Sequence, residues 1–270
     1  MDNLSLTPDS YDEYCVSIPS DSRLPNAGQR QCGYYDVKPA LFGVGQNRVV
    51  NTKEIAGAKP QRYWDGITLS MNGRLPKGIT VGGGLDMGQQ VRDNCYTVDV
   101  PNIPRDLTGA SNPSGPFCRN VTSFTDNMDI RIRASVPLKY GINASAIFRN
   151  TAGAVQNATW NVNNANITAG QVQFLNGRQT FAGNQPQALA LHAQSEYYGD
   201  RFNQLDISVN KNVNTGIGRL RLAWDVYNAL NANSTQGVTT VFTNSSQNRW
   251  LRPALFMDPR LMRLTASLSF

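Results

Sequence analysis

Seven stretches of this chain alternate apolar and polar residues one by one, and few folds tolerate that pattern. Ile67, Leu69 and Met71 alternate with Thr68, Ser70 and Asn72; Ile79, Val81, Leu85 and Met87 alternate with Thr80, Gly82, Gly84 and Asp86. Met128, Ile130, Ile132, Ala134 and Val136 are interleaved with Asp129, Arg131, Arg133 and Ser135, and Ile142, Ala144, Ala146 and Phe148 with Asn143, Ser145 and Arg149. The same rhythm carries Leu205, Ile207 and Val209, then Leu220, Leu222, Trp224 and Val226, and finally Met262, Leu264, Ala266, Leu268 and Phe270. Successive side chains of a strand point to opposite faces, so a period of two predicts half-buried β-strands. No stretch holds helical apolar spacing beyond two turns, and no apolar run approaches the roughly 20 residues of a membrane-spanning helix. Charged residues are 16% of the chain, against roughly 25% in an average soluble domain. The fold class predicted is all-β and antiparallel.

The connections sharpen this reading. Within each pair the turn is short: Pro76-Lys77-Gly78, Pro137 to Gly141, and Asn214-Thr215-Gly216. Between pairs the links are long, at 91–126, 151–202 and 231–259. Short turns at one end and long loops at the other predict membrane-spanning strands of a β-barrel, with periplasmic turns and extracellular loops. In such a barrel the apolar parity faces lipid and the polar parity lines the interior. The residues expected to face the lumen are Arg74, Arg131, Arg133, Arg149, Arg219, Arg221 and Arg263 with Asp86, Asp129, Asp206 and Asp225. Mixed signs on one face suit a wet interior, and they suit a solvated outer face equally. Aromatic residues near strand ends, Tyr63, Trp64, Tyr140 and Phe270, fit interfacial girdles.

Four cysteines fall in two local pairs, Cys15 with Cys32 and Cys95 with Cys118, each bracketing a stretch rich in Pro, Asn and Asp. An even count at such spacing predicts two disulfides formed in an oxidising compartment. A zinc site is a poor alternative, since there is no CxxC and a single histidine. The formal net charge is +6, but the basic residues are dispersed and form no run, so nucleic acid is not the expected partner. His192 stands alone in LALHAQSEYYGD, and no catalytic constellation is readable. GVGQNR at 43–48 and TVGGGLDMG at 80–88 match neither GxxxxGK[ST] nor GxGxxG. No enzyme activity, cofactor or metal is expected. Asp200 and Arg252 are expected to pair structurally at loop bases, and Asn228 and Asn231 to shape a strand end.

The stretches YGDRFNQLDISVNKNV, GRLRLAWDVYNALNANS and WLRPALFMDPRLMRLTASLSF resemble the C-terminal end of TonB-dependent outer-membrane receptors. They most resemble the large acidobacterial-type members that carry a carboxypeptidase-regulatory-like domain. Upstream, SIPSDSRLPNAGQRQCGYYDVKP, YWDGITLSMNGRLPKG and VRDNCYTVD resemble the same group. The resemblance covers most of the chain and is weakest at 150–196. It implies a receptor that takes up a scarce nutrient across the bacterial outer membrane, and it specifies no ligand. The terminal alternating strand ending in Phe270 resembles the signal by which such barrels are handed to the assembly machinery.

Receptors of this group are similar in having a plug domain and a barrel of about 22 strands. Seven strands are counted here, an odd number, and 1–60 reads as mostly extracellular loop before the strands of 61–270. Met1 is followed by no basic and apolar export signal. Together these predict a C-terminal part of a larger receptor. Its partners would be outer-membrane lipid, the receptor's own plug and remaining strands, the assembly machinery and, through the N-terminal part alone, the inner-membrane energising complex. Two alternatives stay open. One is a small self-contained barrel or adhesin, if a strand lies unrecognised in 41–58 or 157–168. The other is a secreted glycan-binding β-sandwich.

Overall fold

The computed structural model describes residues 2–3, 7–43, 49–50, 59, 61–95, 116–122, 124–165, 170–184, 186–193 and 197–270. Its strands are, in chain order, β1 (Asp2–Asn3), β2 (Tyr11–Ser17), β3 (Arg30–Val37), β4 (Val49–Val50), β5 (Gln61–Arg74), β6 (Thr80–Asp93), β7 (Arg119–Val121), β8 (Asp129–Pro137) and β9 (Ile142–Thr151). There follow β10 (Thr159–Val162), β11 (Val172–Phe174), β12 (Gln187–Ala190), β13 (Phe202–Thr215), β14 (Gly218–Tyr227), β15 (Thr235–Val238), β16 (Val241–Phe242), β17 (Pro253–Phe256) and β18 (Leu261–Ser269).

All seven alternating stretches are strands of one antiparallel sheet, in the order β5-β6-β8-β9-β13-β14-β18, with β7 beside the far end of β6. The pairings between these seven run without register shifts, so parity is kept from edge to edge. One row crosses all seven strands as Gly73, Val81, Ala134, Ala146, Ile207, Val226 and Met262. The next row, one residue along every strand, is Arg74, Thr80, Ser135, Ser145, Ser208, Asp225 and Arg263. A slip of one residue in any pairing would mix these rows.

The turns at the near end share one build. Leu75 N–H donates to Ile79 O at 2.8 Å, and Leu138 N–H donates to Ile142 O at 2.7 Å. Inside each loop two consecutive residues take left-handed backbone, Lys77 with Gly78 and Tyr140 with Gly141. Glycine meets that requirement without strain. The third hairpin turns on Gly216 and Ile217.

The sheet is open. Among the described residues β5 and β18 each have one unpaired edge and no closed barrel forms, and six successive antiparallel pairings leave the two edge strands running the same way. Both faces of the sheet are largely uncovered: on the apolar parity Met71, Leu69, Ile132 and Leu264 are 65%, 59%, 54% and 82% exposed.

The hydrophobic core sits elsewhere. Tyr14, Val16, Ile18, Leu24 and Tyr34 pack with Trp160, Val162, Phe174, Phe181, Leu189, Leu191, Phe242 and Trp250, and none of the seven long strands contributes to this cluster. It is framed by two small sheets, β11-β2-β3 and β12-β10-β16. We call this body the cap. The segments read as loops, 1–60 and 151–202, therefore carry strands and a core of their own. Of the two places where a further strand was sought, β10 lies in 157–168 but belongs to the cap, not to the long sheet. Most of 41–58 lies outside the described residues, and its β4 pairs with β1.

Candidate functional site

All eleven charged residues expected on one face do share one: Arg74, Asp86, Asp129, Arg131, Arg133, Arg149, Asp206, Arg219, Arg221, Asp225 and Arg263 have the same parity through the registers. Seven arginines against four aspartates make these eleven net positive by three, and Arg62 and Arg92, on the same parity, add to that excess. Two pairs are closed. Arg131 Nη2 lies 2.6 Å from Asp129 Oδ2, and Arg263 Nη2 lies 2.9 Å from Asp225 Oδ2. Ser208 Oγ donates to the other oxygen of Asp225 at 2.6 Å. Among the described residues Arg74, Arg133, Arg149, Arg219 and Arg221 have no carboxylate in ion-pair range. Arg133 instead donates to Asn72 Oδ1 at 2.9 Å across a groove of about 570 Å³ that Arg74 also lines.

Three like-charge contacts stand in the registers of the long sheet, Asp86 opposite Asp129, Arg131 opposite Arg149 and Arg62 opposite Arg92. Directly opposed like charges cost stability in a sheet, and Arg131 relieves the acidic pair by bonding Asp129. Asp206 has another task. It accepts from Asn228 N–H at 2.9 Å and from Gln204 Nε2, closing the far end of β14. Asn228 and Asn231 shape that end as expected: both have left-handed backbone. Asn228 also bonds Ala232 and Asp258, while Asn231 Oδ1 accepts from Arg260 N–H.

The pairing at the loop base falls to Arg201, the neighbour of Asp200. Its guanidinium donates to Asn150 Oδ1 at 2.8 Å, to Asp126 O at 3.1 Å and to Met128 O, tying the far ends of β8 and β9 together. Arg252 acts through its backbone, its carbonyl accepting from Thr239 N–H at 2.9 Å.

Both disulfides form as expected. Cys15–Cys32 links β2 to β3 in the cap, and Cys95–Cys118 joins the segments that follow β6 and precede β7 at the far end of the long sheet. The residue that sequence reading missed is Arg178. Its Nη2 lies 2.5 Å from Asp36 Oδ2 and its Nη1 lies 2.9 Å from Asp12 Oδ2, with all three side chains nearly buried. Nη1 also donates to Val37 O, Asp36 accepts Ala182 N–H, and the guanidinium lies 3.9 Å over the Phe174 ring. A buried pair of this kind holds only while every charge is answered. Nothing local marks Arg178 in NGRQ, because its partners lie more than a hundred residues away.

Tyr34 is buried in the same core and donates to Ala190 O at 2.8 Å; burial pushes its hydroxyl well above the ordinary tyrosine range. His192 is buried, its Nδ1 2.8 Å from Ala193 O and its ring edge-on to Tyr197. At the cap rim Arg23 grips Asp21 through three hydrogen bonds, and these bonds hold the Asp21 carboxyl below the usual carboxylate range. No cluster of His, Cys, Asp or Glu suited to a metal ion occurs among the described residues, and no helix is long and apolar enough to cross a membrane. Compared with known protein families, with curated proteins and with solved structures, the chain finds no match.

Proposed function

We propose that the chain is the C-terminal part of a TonB-dependent outer-membrane receptor, a transporter rather than an enzyme. The long sheet forms part of the barrel wall in the outer membrane. Its apolar face meets lipid, its arginine-rich face meets the lumen and plug, and the cap stands outside the cell. The remaining strands of the receptor complete the ring, and its plug receives energy from the inner-membrane complex. The terminal strand β18 is the part offered to the assembly machinery.

One observation carries this reading: among the described residues, a sheet with largely sorted faces lacks a protein layer over its apolar side, while the core lies in a separate body. In a secreted sandwich a second sheet would cover that side. Hydrocarbon is the surrounding in which an uncovered apolar sheet face is at its lowest free energy. The free edges of β5 and β18 favour the partial barrel over a self-contained one, because unpaired backbone groups are strongly unfavourable in lipid.

Trp224 tests the proposal. It lies on the apolar face between Val209 and Leu264 and is 45% exposed, whereas Trp160 and Trp250 are buried in the cap. Reconstituted in vesicles with brominated acyl chains, a Trp64→Phe variant, which removes the other exposed tryptophan, should lose fluorescence from Trp224, and adding Trp224→Phe should abolish most of that quenching. A monomer that stays soluble without detergent and is not quenched would sink the receptor reading.

A further inference from the structure

A groove of the cap runs between the segment after β2 and the segment after β16, with a volume of about 790 Å³. Its lining is unusual in chemistry. Hydroxyls come from Ser17, Ser20, Ser22, Thr243, Ser245 and Ser246. Amides come from Gln171, Asn244 and Asn248. Among the described residues that line it, the single carboxylate, Asp21, is held by Arg23 at 2.6 Å, so these residues present no uncompensated charge although the chain as a whole is basic.

The walls are held in place before any ligand arrives. On one side Ile18 N–H donates to Gln29 O, Gly28 N–H to Ile18 O, and Leu24 N–H to Asp21 O. On the other, Asn248 Oδ1 accepts from Thr243 N–H at 3.2 Å and from Trp250 N–H at 3.0 Å. The two walls are joined where Arg23 Nη1 donates to Trp250 O at 3.1 Å and Asn248 Nδ2 reaches Asp21 Oδ2 at 3.4 Å. Beneath them lie Ile18, Phe242 and Trp250, almost fully buried, the two rings 5.6 Å apart. Fixed walls reduce the ordering cost of binding.

We propose that this groove binds a neutral oligosaccharide. Hydroxyls and amides both donate and accept, as sugar hydroxyls do, so each bond to water that is lost can be replaced one for one. An anion finds no free cation there, and a cation finds only a carboxylate already taken. The inference deepens the receptor reading by naming a ligand class. Its test reads binding alone, so it can fail while lipid quenching of Trp224 succeeds, or the reverse.

The experiment is calorimetric titration of the full chain, in detergent, with maltoheptaose, cellohexaose, xylohexaose and mannohexaose, and with oligogalacturonate as the charged comparison. At least one neutral oligosaccharide should bind saturably, and oligogalacturonate should bind more weakly. Ser246→Trp, which fills the groove from an exposed position, should weaken binding at least tenfold with unchanged circular dichroism. Asn244→Asp, a smaller change that adds a charge, should weaken it several-fold and serves should the tryptophan variant misfold. Absence of binding to all four neutral sugars, preference for oligogalacturonate, or binding that survives both variants would overturn the proposal.

Discussion

Asp225 and Arg263 face each other across the last pairing of the long sheet, with Ser208 on the far side of the same carboxylate. Three neighbouring strands are thus joined through one side chain. Arg263 is 60% exposed at its side chain, so solvent screens the pair. A double-mutant cycle of Asp225→Ala with Arg263→Ala should return a small favourable coupling that shrinks with added salt. A coupling of zero would mean that Ser208 alone holds the carboxylate.

Arg178 is the more costly residue to lose. Arg178→Ala leaves Asp36 and Asp12 buried without their cation, a loss on the order of 3–5 kcal/mol. Trp160 and Trp250 belong to the cap core, so their fluorescence reports its unfolding. The melting transition seen by those tryptophans should fall sharply in the variant. Asp12→Asn with Asp36→Asn in the Arg178→Leu background should recover part of the loss.

The Cys15–Cys32 link closes a loop with a sequence separation of 17. Its removal by Cys15→Ser with Cys32→Ser should cost the cap about 3 kcal/mol, mostly by freeing the unfolded segment. Limited proteolysis should then cut first within 18–29, with the long sheet's strands surviving. Early cleavage in the turns 75–79 or 138–141 would contradict the separation of the two bodies.

Tyr34 gives the cap an alkaline limit. Its folded-state hydroxyl titrates above the unfolded value of roughly 10 because burial disfavours the phenolate. The sign follows from linkage: the contribution is complete below pH 10 and is lost as pH rises, because the unfolded chain releases the proton first. Denaturant midpoints of the cap should decline above about pH 10. Tyr34→Phe should flatten that decline while costing about 1 kcal/mol at neutral pH through the lost bond to Ala190.

The long sheet was legible residue by residue, because its information is local. Alternation over nine or more residues names a strand and its faces, and a Gly-bearing turn of few residues names the register. This is why all seven strands, the parity of eleven charges and both disulfides could be read directly. The cap was not legible. Its strands run two to eight residues, and β10 pairs in parallel with β16 some eighty residues on. Its aromatic cluster joins Tyr14 and Tyr34 to Phe174 and Phe181. No window of sequence contains such a core. One wall of the groove, with Ser245 and Ser246, lies within 231–259 and read only as part of a long link for the same reason.

The shared direction of β5 and β18 sets a rule of assembly. Two free edges that point the same way cannot zip together antiparallel, so the sheet is protected from curling shut on itself. Copies placed side by side with all their caps on one side meet the same mismatch at every seam. Turning one copy over would cure the mismatch, but only by setting its cap at the opposite end. With caps kept to one side, an antiparallel ring needs an odd number of further strands between the two edges. The cap thereby acts as a polarity key, deciding which partners may complete the circle without touching either edge.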